Sequence, residues 1–427
     1  MVDRASAIIF GALTVCACVL ASSCAPSSGS SSAKPGEIMH HDLSPNSVVA
    51  PSAKQPIPAA EIALAASDSF EKGIGWAITN QRSNGNWGSL ESIRRREIFL
   101  DTQASHLAFQ TATTAIVTWA LIEPARTKPE CRAALELGFT ALTIKPPPGR
   151  ASGKTFYSVW AHNYLIYLSA AVQADPTLTA FHATWKTIGE EEIKRVRREQ
   201  GADGGWGYYD FDFTGENPSG HESTSFNTAA MILALRSAHE QGAVIPPGTI
   251  EDGTRAILRM QLPSGAFAYG TYAELNPRAD YNKVSGSSGR LQSCNVALNA
   301  VGAGKVTTET LMRGVQHLRD THQYIEIGRG RVMPHESFYR NSGYYYYFDH
   351  YYAACALAAV PPSAERAELV RWLTEVMVHD QNPDGSWFDY PLYGYGKAYA
   401  TGLGLLTLEI LRPLIDTAAA ANTTDVK

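Results

Sequence analysis

The chain is poor in the residues that mark several common classes of protein. Only three of its six cysteines, Cys131, Cys294 and Cys355, lie beyond residue 24, and no C-x-x-C motif occurs. Three thiols cannot build a disulfide framework. Charged residues make up 18%, with 36 Lys+Arg against 41 Asp+Glu. The basic footprint of a nucleic-acid-binding protein is therefore absent, and nucleic acid is not expected as a partner.

Two motifs of common catalytic sites are absent as well. The sequence has no glycine-rich phosphate loop with an adjoining lysine and no Gly-x-Ser-x-Gly elbow. What it does have is aromatic weight, with 20 Tyr, 8 Trp and 14 Phe among 427 residues. A length of this order allows several domains or one large toroid. The composition predicts a core or a cavity that is rich in rings.

The N-terminus has the pattern of an export signal. Residues 7–20 form an apolar run, too short to span a membrane and typical of a signal-peptide core. Ala21-Ser22-Ser23-Cys24 resembles a bacterial lipoprotein signal, in which the cysteine is lipidated. We expect a signal peptide over 1–23 and a Ser- and Pro-rich tether over 24–59. Cys18 offers a competing site, and an ordinary secretory signal is the alternative.

These signals predict a location and a partner. The protein is expected to be exported to the cell envelope or periplasm, with a lipid on Cys24 anchoring it to a membrane.

A repeat of about 60 residues organises the rest of the chain. The pattern Gln-x-x-x-Gly-x-aromatic occurs at Gln81–Trp87, Gln200–Trp206, Gln261–Phe267 and Gln381–Trp387. The separations between these copies are close to one or two periods, so two further, degenerate copies are expected near 141 and 321.

Each repeat reads as two helices joined by a loop. The periodicity predicts first helices at 60–81, 130–144, 178–200, 249–261, 307–321 and 364–381. It predicts second, more apolar helices at 111–122, 156–173, 223–240, 291–301, 345–360 and 398–411. Six hairpins of this kind can close into a ring. The predicted fold is an all-α (α/α)6 toroid over residues 60–415, followed by a tail over 416–427.

The glutamine–tryptophan repeats resemble those of the prenyltransferase/squalene-oxidase repeat superfamily, which includes terpene cyclases and protein prenyltransferase β subunits. The resemblance covers most of residues 60–415. It implies a hydrophobic, isoprenoid-type ligand or lipid and a structural role for the repeat tryptophans, Trp76, Trp87, Trp206 and Trp387. The alternative is an (α/α)6 glycan-active enzyme, but the glutamine–aromatic loops argue against it.

The chemistry of that superfamily is only partly represented. Squalene cyclases carry an Asp-rich motif, D-x-D-D-T-A, whose nearest frame here is residues 224–229, with Thr228-Ala229 present and every Asp replaced. Asp210 and Asp212 lie after the Trp206 loop and are interpreted as loop residues. Alkene protonation by the family's route is therefore not expected.

Protein prenyltransferases bind zinc through a D-x-C motif and a later histidine. Cys294 and His350 match two of these ligands, but Gln292 replaces the aspartate. The resemblance therefore implies at most a degraded zinc site, unless Asp349 supplies the missing ligand. The alternative is a buried thiol and a hydrogen-bonded histidine. If the chain is active, Asp349, His350 and Tyr351 are its predicted catalytic centre.

Tyrosines cluster at the predicted start of several inner helices, as at 344–352 and 390–399. An aromatic cavity would suit an elongated apolar ligand, although such rings also pack simply between helices. The predicted ligand-binding residues are His162, Ser225, Asn227, Asn295, Tyr352 and Tyr399. Two functions remain open: an enzyme similar to terpene cyclases, or a non-catalytic exported binding or scaffold lipoprotein.

Overall fold

Helices alternate along the chain between an outer and an inner layer. The computed structural model describes residues 55–91, 103–144, 158–208, 222–271, 276–331, 335, 338–391 and 393–424. The outer helices are α1 (Ile62–Thr79), α3 (Pro129–Ile144), α5 (Thr179–Arg198), α7 (Thr249–Met260), α9 (Thr308–Glu326) and α11 (Ala364–His379). The inner helices are α2 (Gln103–Ala120), α4 (Ser158–Ala174), α6 (Ser225–Glu240), α8 (Ser288–Ala300), α10 (Tyr346–Ala358) and α12 (Gly396–Thr424).

The two layers differ in how their residues are patterned. Outer helix α5 has a buried stripe, which includes Trp185, Gly189 and Val196, and a charged face. Inner helix α4 is buried around almost its whole circumference between Ser158 and Val172. A helix with one apolar stripe needs a neighbour on one side only, whereas a helix that is apolar all round needs neighbours on every side. The sequence pattern therefore assigns each helix to its layer.

The inner helices form a closed ring. α2 packs on α4, α4 on α6, α6 on α8, α8 on α10, α10 on α12, and α12 returns to α2. Each later outer helix packs on the inner helix that precedes it in the chain, and α1 packs on α12. Apart from isolated bridges, the described residues contain no β-strand. The predicted all-α (α/α)6 toroid is confirmed.

Three helix boundaries differ from the prediction by five residues or more, the first being the end of α9 at Glu326 rather than at residue 321. Inner helix α2 begins at Gln103 rather than at residue 111. Inner helix α12 continues through Pro413 to Thr424, into the segment expected to be a tail. Its portion Gly396–Ile415 is long and apolar enough to cross a membrane, but most of this portion is buried inside the toroid. That portion is a core helix of the ring.

Three glutamines tie neighbouring repeats together. Each side-chain amide donates to the carbonyl of the glycine four residues later and to a carbonyl on an adjacent outer helix. The pairs are Gln81 with Gly85 (3.1 Å) and Ala134 (2.9 Å), Gln200 with Gly204 (2.6 Å) and Thr249 (2.9 Å), and Gln381 with Gly385 (2.8 Å) and Ser69 (2.7 Å). Because Ser69 lies on α1, Gln381 closes the ring between the last repeat and the first.

The tryptophan of each of these three repeats completes the joint, which we call a staple. Trp87, Trp206 and Trp387 are at most 1% exposed, and each indole Nε1 donates to the carbonyl ten residues earlier, at 2.7–2.8 Å. Each ring lies against a glycine of the adjacent outer helix. A Cβ atom would come within 3.2 Å of the ring at Gly138, 2.8 Å at Gly253 and 2.6 Å at Gly73. These tryptophans have the structural role that the resemblance implied, and Trp76 is likewise buried on α1.

Several predictions fall on the N-terminal part of the sequence. The signal peptide over 1–23, the lipidation site Cys24 and the tether as far as residue 54 lie outside the described residues. The chain from Ile57 onward forms one unit by its contacts. Asp210 and Asp212 also lie outside the described residues.

Candidate functional site at the mouth of the toroid

His350, the centre of the predicted chemistry, lies between the two layers. Its Nδ1 is 2.5 Å from the Tyr346 carbonyl, and its Nε2 is 3.0 Å from Nε2 of His322 on outer helix α9. Burial, with a smaller contribution from the neighbouring His322, lowers the pKa of His350 to about 3, so the imidazole is neutral. Because its Nε2 meets the outer helix α9, this predicted catalytic residue points away from the lumen of the ring.

The two expected zinc ligands have different surroundings. Cys294 is fully buried, with the hydroxyls of Ser225 and Ser293 as neighbours, and burial raises the pKa of its thiol to about 12. The side chain of Gln292 donates to the Gly314 carbonyl of the outer layer at 2.8 Å. Within the described residues, no group of three or more His, Cys, Asp or Glu side chains could hold a metal ion. Cys294 and His350 are not brought together as a metal site.

Two predicted ligand-binding residues also face the outer layer. His162 lies between the carboxylates of Glu192 and Glu199, with its Nε2 3.5 Å from Glu199. Burial lowers the pKa of His162, but these two carboxylates outweigh it and raise the value to about 9. The Asn295 amide lies against Gly314 of α9. Both side chains are on the outward face of their inner helices, so they do not look into the lumen.

The frame of the missing Asp-rich motif belongs to a staple. Thr228 Oγ1 accepts a hydrogen bond from the backbone N–H of Trp206 at 3.0 Å. Thr114 and Thr401 serve Trp87 and Trp387 in the same way, at 3.2 and 3.1 Å. Next to Thr228, Asn227 is 2% exposed, and its Nδ2 has no hydrogen-bond partner. The Thr-Ala pair therefore has a structural explanation here, without any acid chemistry.

Asp349 is a buried carboxyl group at the α8–α10 contact. Ser288 donates to its Oδ2 at 3.4 Å, and its Oδ1 has no hydrogen-bond partner. Burial raises the pKa of Asp349 well above its ordinary value, and the Ser288 bond only partly opposes this. Burial therefore favours the neutral carboxylic acid over the carboxylate at this position.

The lumen of the ring is filled with aromatic side chains. Trp160 of α4 meets Phe348 of α10, on the opposite side of the ring, with ring centroids 5.8 Å apart. Phe348 also packs on Tyr352 at 4.8 Å, and Tyr352 packs on Tyr351 at 4.9 Å. Because opposite helices touch through their rings, Tyr351 and Tyr352 are core residues of the described structure. They do not line an open cavity.

Rings that are only half-buried collect where the inner helices begin, at the end of the toroid that we call the mouth. They include Trp160, Tyr269, Tyr344, Tyr393 and Tyr399. A continuous series of ring contacts, the aromatic band, passes through Phe109, Tyr395, Tyr393, Tyr390, Tyr344, His335 and Tyr269, and a hydroxyl–hydroxyl contact joins Tyr208 to it. The Tyr399 hydroxyl donates to the Tyr344 carbonyl at 3.2 Å. The band includes four of the tyrosines that cluster at the start of the inner helices, Tyr344, Tyr390, Tyr393 and Tyr395.

The mouth also holds residues that the sequence analysis did not single out. Arg290 lies beneath Tyr269, with Cζ 5.4 Å from the ring centroid. His335 contacts both Tyr269 and Tyr344. A single arginine within the buried run of α8 was the available signal for Arg290. His335 had none, because its position depends on the conformation of a loop.

A cavity opens near the other end of the ring. Its volume is about 180 Å³, and it is lined by residues that include Trp119, Tyr167 and Ala170. The Trp119 and Tyr167 rings are stacked, with centroids 5.0 Å apart. Its side chains belong to the C-terminal halves of α2, α4 and α6, so it is separate from the mouth.

Comparisons with known proteins identify the fold. No protein-family model matches the chain, and no curated protein matches it in sequence. An α-1,6-mannanase, GH76A from Salegentibacter sp. HEL1_6, is 12% identical with a TM-score of 0.50, covering 83% of this chain and 99% of that chain. A variant of the type II terpene cyclase MstE from Scytonema, in complex with merosterolic acid A, is 14% identical with the same coverages and a TM-score of 0.47. A protein from Actinoplanes is 15% identical, covering 81% and 99%, with a TM-score of 0.49.

These likenesses define the class of the protein by its fold. At 12% identity, the mannanase shows an α/α toroid and nothing about a substrate. The other two, with TM-scores below 0.5, add no argument. The chain is an α/α-toroid protein with glutamine–tryptophan repeats.

Proposed function

We propose that this protein is an exported, lipid-anchored binding protein that holds an elongated apolar ligand, of isoprenoid type, against its aromatic mouth. The contact between Trp160 and Phe348 across the lumen carries the proposal. Because opposite rings already fill the lumen, an apolar chain has access to the half-buried rings of the mouth and not to a deep tunnel. Ligand pockets are commonly lined by apolar and aromatic side chains with few polar groups.

The proposal assigns no reaction to the site. The residues that would carry the chemistry of the similar superfamily have other partners in this chain. Thr228 binds the Trp206 backbone, Cys294 lies beside Ser225, and His350 pairs with His322. These arrangements favour a toroid that binds its ligand without catalysing a reaction of that ligand.

Binding can be tested with geranylgeraniol as the probe. Phe109 stacks on Tyr395 of the band at 5.4 Å, whereas Phe181 packs on Phe139 in the outer layer. We expect Phe109→Leu to weaken binding by up to about tenfold, since one aromatic contact contributes roughly 0.5–1.5 kcal/mol. The matched variant Phe181→Leu should bind normally. Tryptophan fluorescence and native mass spectrometry would measure the dissociation constants.

Two results would contradict the proposed ligand. The proposal is overturned if geranylgeraniol does not bind, or if Phe109→Leu and Phe181→Leu bind it equally well. Rings also stack on sugars, so α-1,6-mannotriose serves as the competing probe. Preferential binding of mannotriose would assign the mouth to a glycan instead.

The anchoring part of the proposal rests on Cys24 and the apolar run before it. Mass spectrometry of the N-terminus of protein purified from membranes should show a lipid-modified Cys24 as the first residue. Cys24→Ala should release the protein from the membrane fraction. An unmodified serine or alanine at the N-terminus would contradict the anchor and would leave the proposed ligand untouched.

Asp349 favours one second candidate, a terpenoid-cyclase-like protonation. It is a carboxyl group whose pKa burial raises well above its ordinary value, it has one oxygen unpaired, and it lies in the same helix as Phe348 and Tyr352. An acid of this kind can protonate an alkene that reaches it. Incubation with squalene and with prenyl diphosphates should then give new products that Asp349→Asn abolishes. The absence of products with the native chain would remove this candidate.

A further inference from the structure

Arg290 is a buried charge without a carboxylate partner. It is 2% exposed, and its guanidinium donates to the carbonyls of Gly286 (3.3 Å), Phe267 (3.2 Å) and Tyr281. Its Nε has no hydrogen-bond partner. Within the part of the chain that the structure describes, no Asp or Glu forms an ion pair with it. A buried cation is costly unless an opposite charge accompanies it.

The uncompensated charge lies directly under the mouth. The Arg290 guanidinium is 5.4 Å from the ring centroid of Tyr269, and Tyr269 belongs to the aromatic band. Tyr345, which packs against Gly289, the residue before Arg290 in α8, is 2% exposed. Its hydroxyl lies near the Tyr269 and Tyr344 hydroxyls without a hydrogen bond of normal geometry. The buried Arg290 Nε–H therefore lacks an acceptor among the described residues, and an acceptor oxygen would satisfy it.

The neighbouring His335 is held in a fixed orientation. Its Nδ1 is 2.8 Å from the Arg340 carbonyl, which requires that Nδ1 carry the hydrogen. Its Nε2 then accepts from the Tyr344 hydroxyl at 3.2 Å. The backbone of His335 has φ 62°, and Tyr339 and Arg340 have φ 58° and 60°. Three non-glycine residues in this left-handed region store strain, which is common at ligand-binding sites.

We infer that the mouth binds the anionic end of an amphiphile: a carboxylate or phosphate group, on an apolar chain, paired with Arg290 and the Tyr345 hydroxyl beside Tyr269, Tyr344 and His335. This inference rests on the proposed function, since the aromatic band would take the chain. It adds the chemical class of the ligand, because an alcohol or a hydrocarbon would leave the Arg290 charge uncompensated. The strained His335 and its bond to Tyr344 hold one wall of the site in place.

Two probes with one chain test the headgroup. Geranylgeranoic acid and geranylgeraniol differ only in the charged group, so the ratio of their dissociation constants isolates the contribution of the anion. At pH 7.5 we expect the acid to bind at least about tenfold more tightly to the native protein, in the range of one charge-assisted hydrogen-bonded contact. Inorganic phosphate, which has the charge without the chain, should bind more weakly than the acid.

The variants locate the site. Tyr345→Phe keeps the ring and removes only a hydroxyl that forms no hydrogen bond of normal geometry, so it should fold normally and reduce the acid-over-alcohol ratio about threefold. Tyr347 is the matched control, because its hydroxyl is also buried without a hydrogen bond of normal geometry but lies near Asp380 and Arg329 instead. Tyr347→Phe should leave the ratio unchanged. Arg290→Met should bring the ratio close to one. Because Arg290 also binds three carbonyls, circular dichroism must show that Arg290→Met is folded. If it is not folded, the result with Tyr345→Phe tests the assignment of the site.

Each contrary outcome has a separate meaning. Equal binding of the acid and the alcohol overturns this inference and leaves the proposed function standing. A preference for the acid that survives in Tyr345→Phe, and in folded Arg290→Met, overturns the assignment to these residues. Phosphate binding as tight as that of the acid overturns the amphiphile and leaves a free-anion site. If neither probe binds, the proposed function fails, and this inference fails with it.

Discussion

Two sets of aromatic side chains in this protein are used in different ways. The staple tryptophans, such as Trp206, are fully buried, donate their indole N–H to a carbonyl and lie on a glycine of the next outer helix. The rings of the mouth, such as Tyr393 and Tyr344, are half-buried and lie mainly against one another. The first arrangement satisfies every polar atom of the ring and leaves no space. The second leaves part of the ring surface accessible.

The comparison shows that an excess of aromatic residues has two separable meanings. A ring that is enclosed and hydrogen-bonded contributes to stability, and its loss leaves a cavity. A ring that is partly accessible contributes less to stability and remains available to a ligand. The predictions below test this separation, beginning with the largest expected effect.

Removal of a staple ring should cost the most. Trp206→Ala should lower the free energy of unfolding by about 3–5 kcal/mol, because it opens a large cavity between α6 and α7. Tyr393→Ala, at the mouth, should cost about 1 kcal/mol, since its ring is only half-buried. Urea denaturation followed by circular dichroism measures both values. Equal losses would show that the mouth rings are as structural as the staples.

A pH titration tests a third kind of buried contact, an ion pair between the two layers. His162, in the first turns of inner helix α4, lies between the carboxylates of Glu192 and Glu199. The staples, in contrast, contain no titratable side chain. The pKa of His162 is raised from 6.5 to about 9 in the folded protein. Its stabilisation is therefore complete below about pH 6.5 and is lost as the pH rises through about 9. The shift corresponds to stabilisation on the order of 3 kcal/mol.

His162→Gln isolates that contribution from other groups that titrate nearby. The difference in unfolding free energy between the native protein and this variant should shrink steadily from pH 6.5 to pH 10. Urea denaturation at a series of pH values measures it. A difference that stays constant over this range would mean that the histidine is not charged in the folded protein.

Two glycines of helix α1 test whether the surface under a staple tryptophan requires glycine. A Cβ atom at Gly73 would lie 2.6 Å from the Trp387 ring and 2.8 Å from Leu405, whereas a Cβ at Gly75 meets nothing within 4 Å. Gly73→Ala should destabilise the protein by about 1–3 kcal/mol through overpacking. Gly75→Ala should stabilise it by about 0.4–1 kcal/mol, because it removes flexibility from the unfolded chain. Thermal unfolding of both variants measures the change in melting temperature. Changes of the same sign would contradict a requirement for glycine at position 73.

The last prediction concerns a single hydroxyl. Thr228→Val keeps the shape of the side chain but removes the oxygen that binds the Trp206 backbone. The buried N–H is then unpaired, which should cost about 1–3 kcal/mol. Thr140→Val is the matched control, since Thr140 is an exposed helical residue that bonds only to the Glu136 carbonyl. If both variants unfold at the same urea concentration, the Thr-Ala pair of this frame has no role in the staple.

The architecture was predictable because it repeats. The four Gln-x-x-x-Gly-x-aromatic copies and the apolar pattern of the second helices together require six hairpins. The sequence also indicated correctly that Trp87, Trp206 and Trp387 are structural. The candidate site was less predictable. Cys294 and His350 have the spacing of ligands on consecutive helices, but spacing along the chain does not specify which face of a helix a side chain occupies.

The sequence by itself determined the ring of hairpins, because hydrophobic periodicity and loop glycines act locally and recur in each repeat. It also determined that the acidic motif of squalene cyclases is missing, since every aspartate position in the 224–229 frame holds another residue. Only the tertiary structure decided that His162 and His350 face the outer layer, that rings from opposite helices fill the lumen, and that Arg290, Tyr345 and His335 meet at the mouth. Those relations join residues that are distant in sequence, and they depend on helix rotation and loop conformation, which no local pattern encodes.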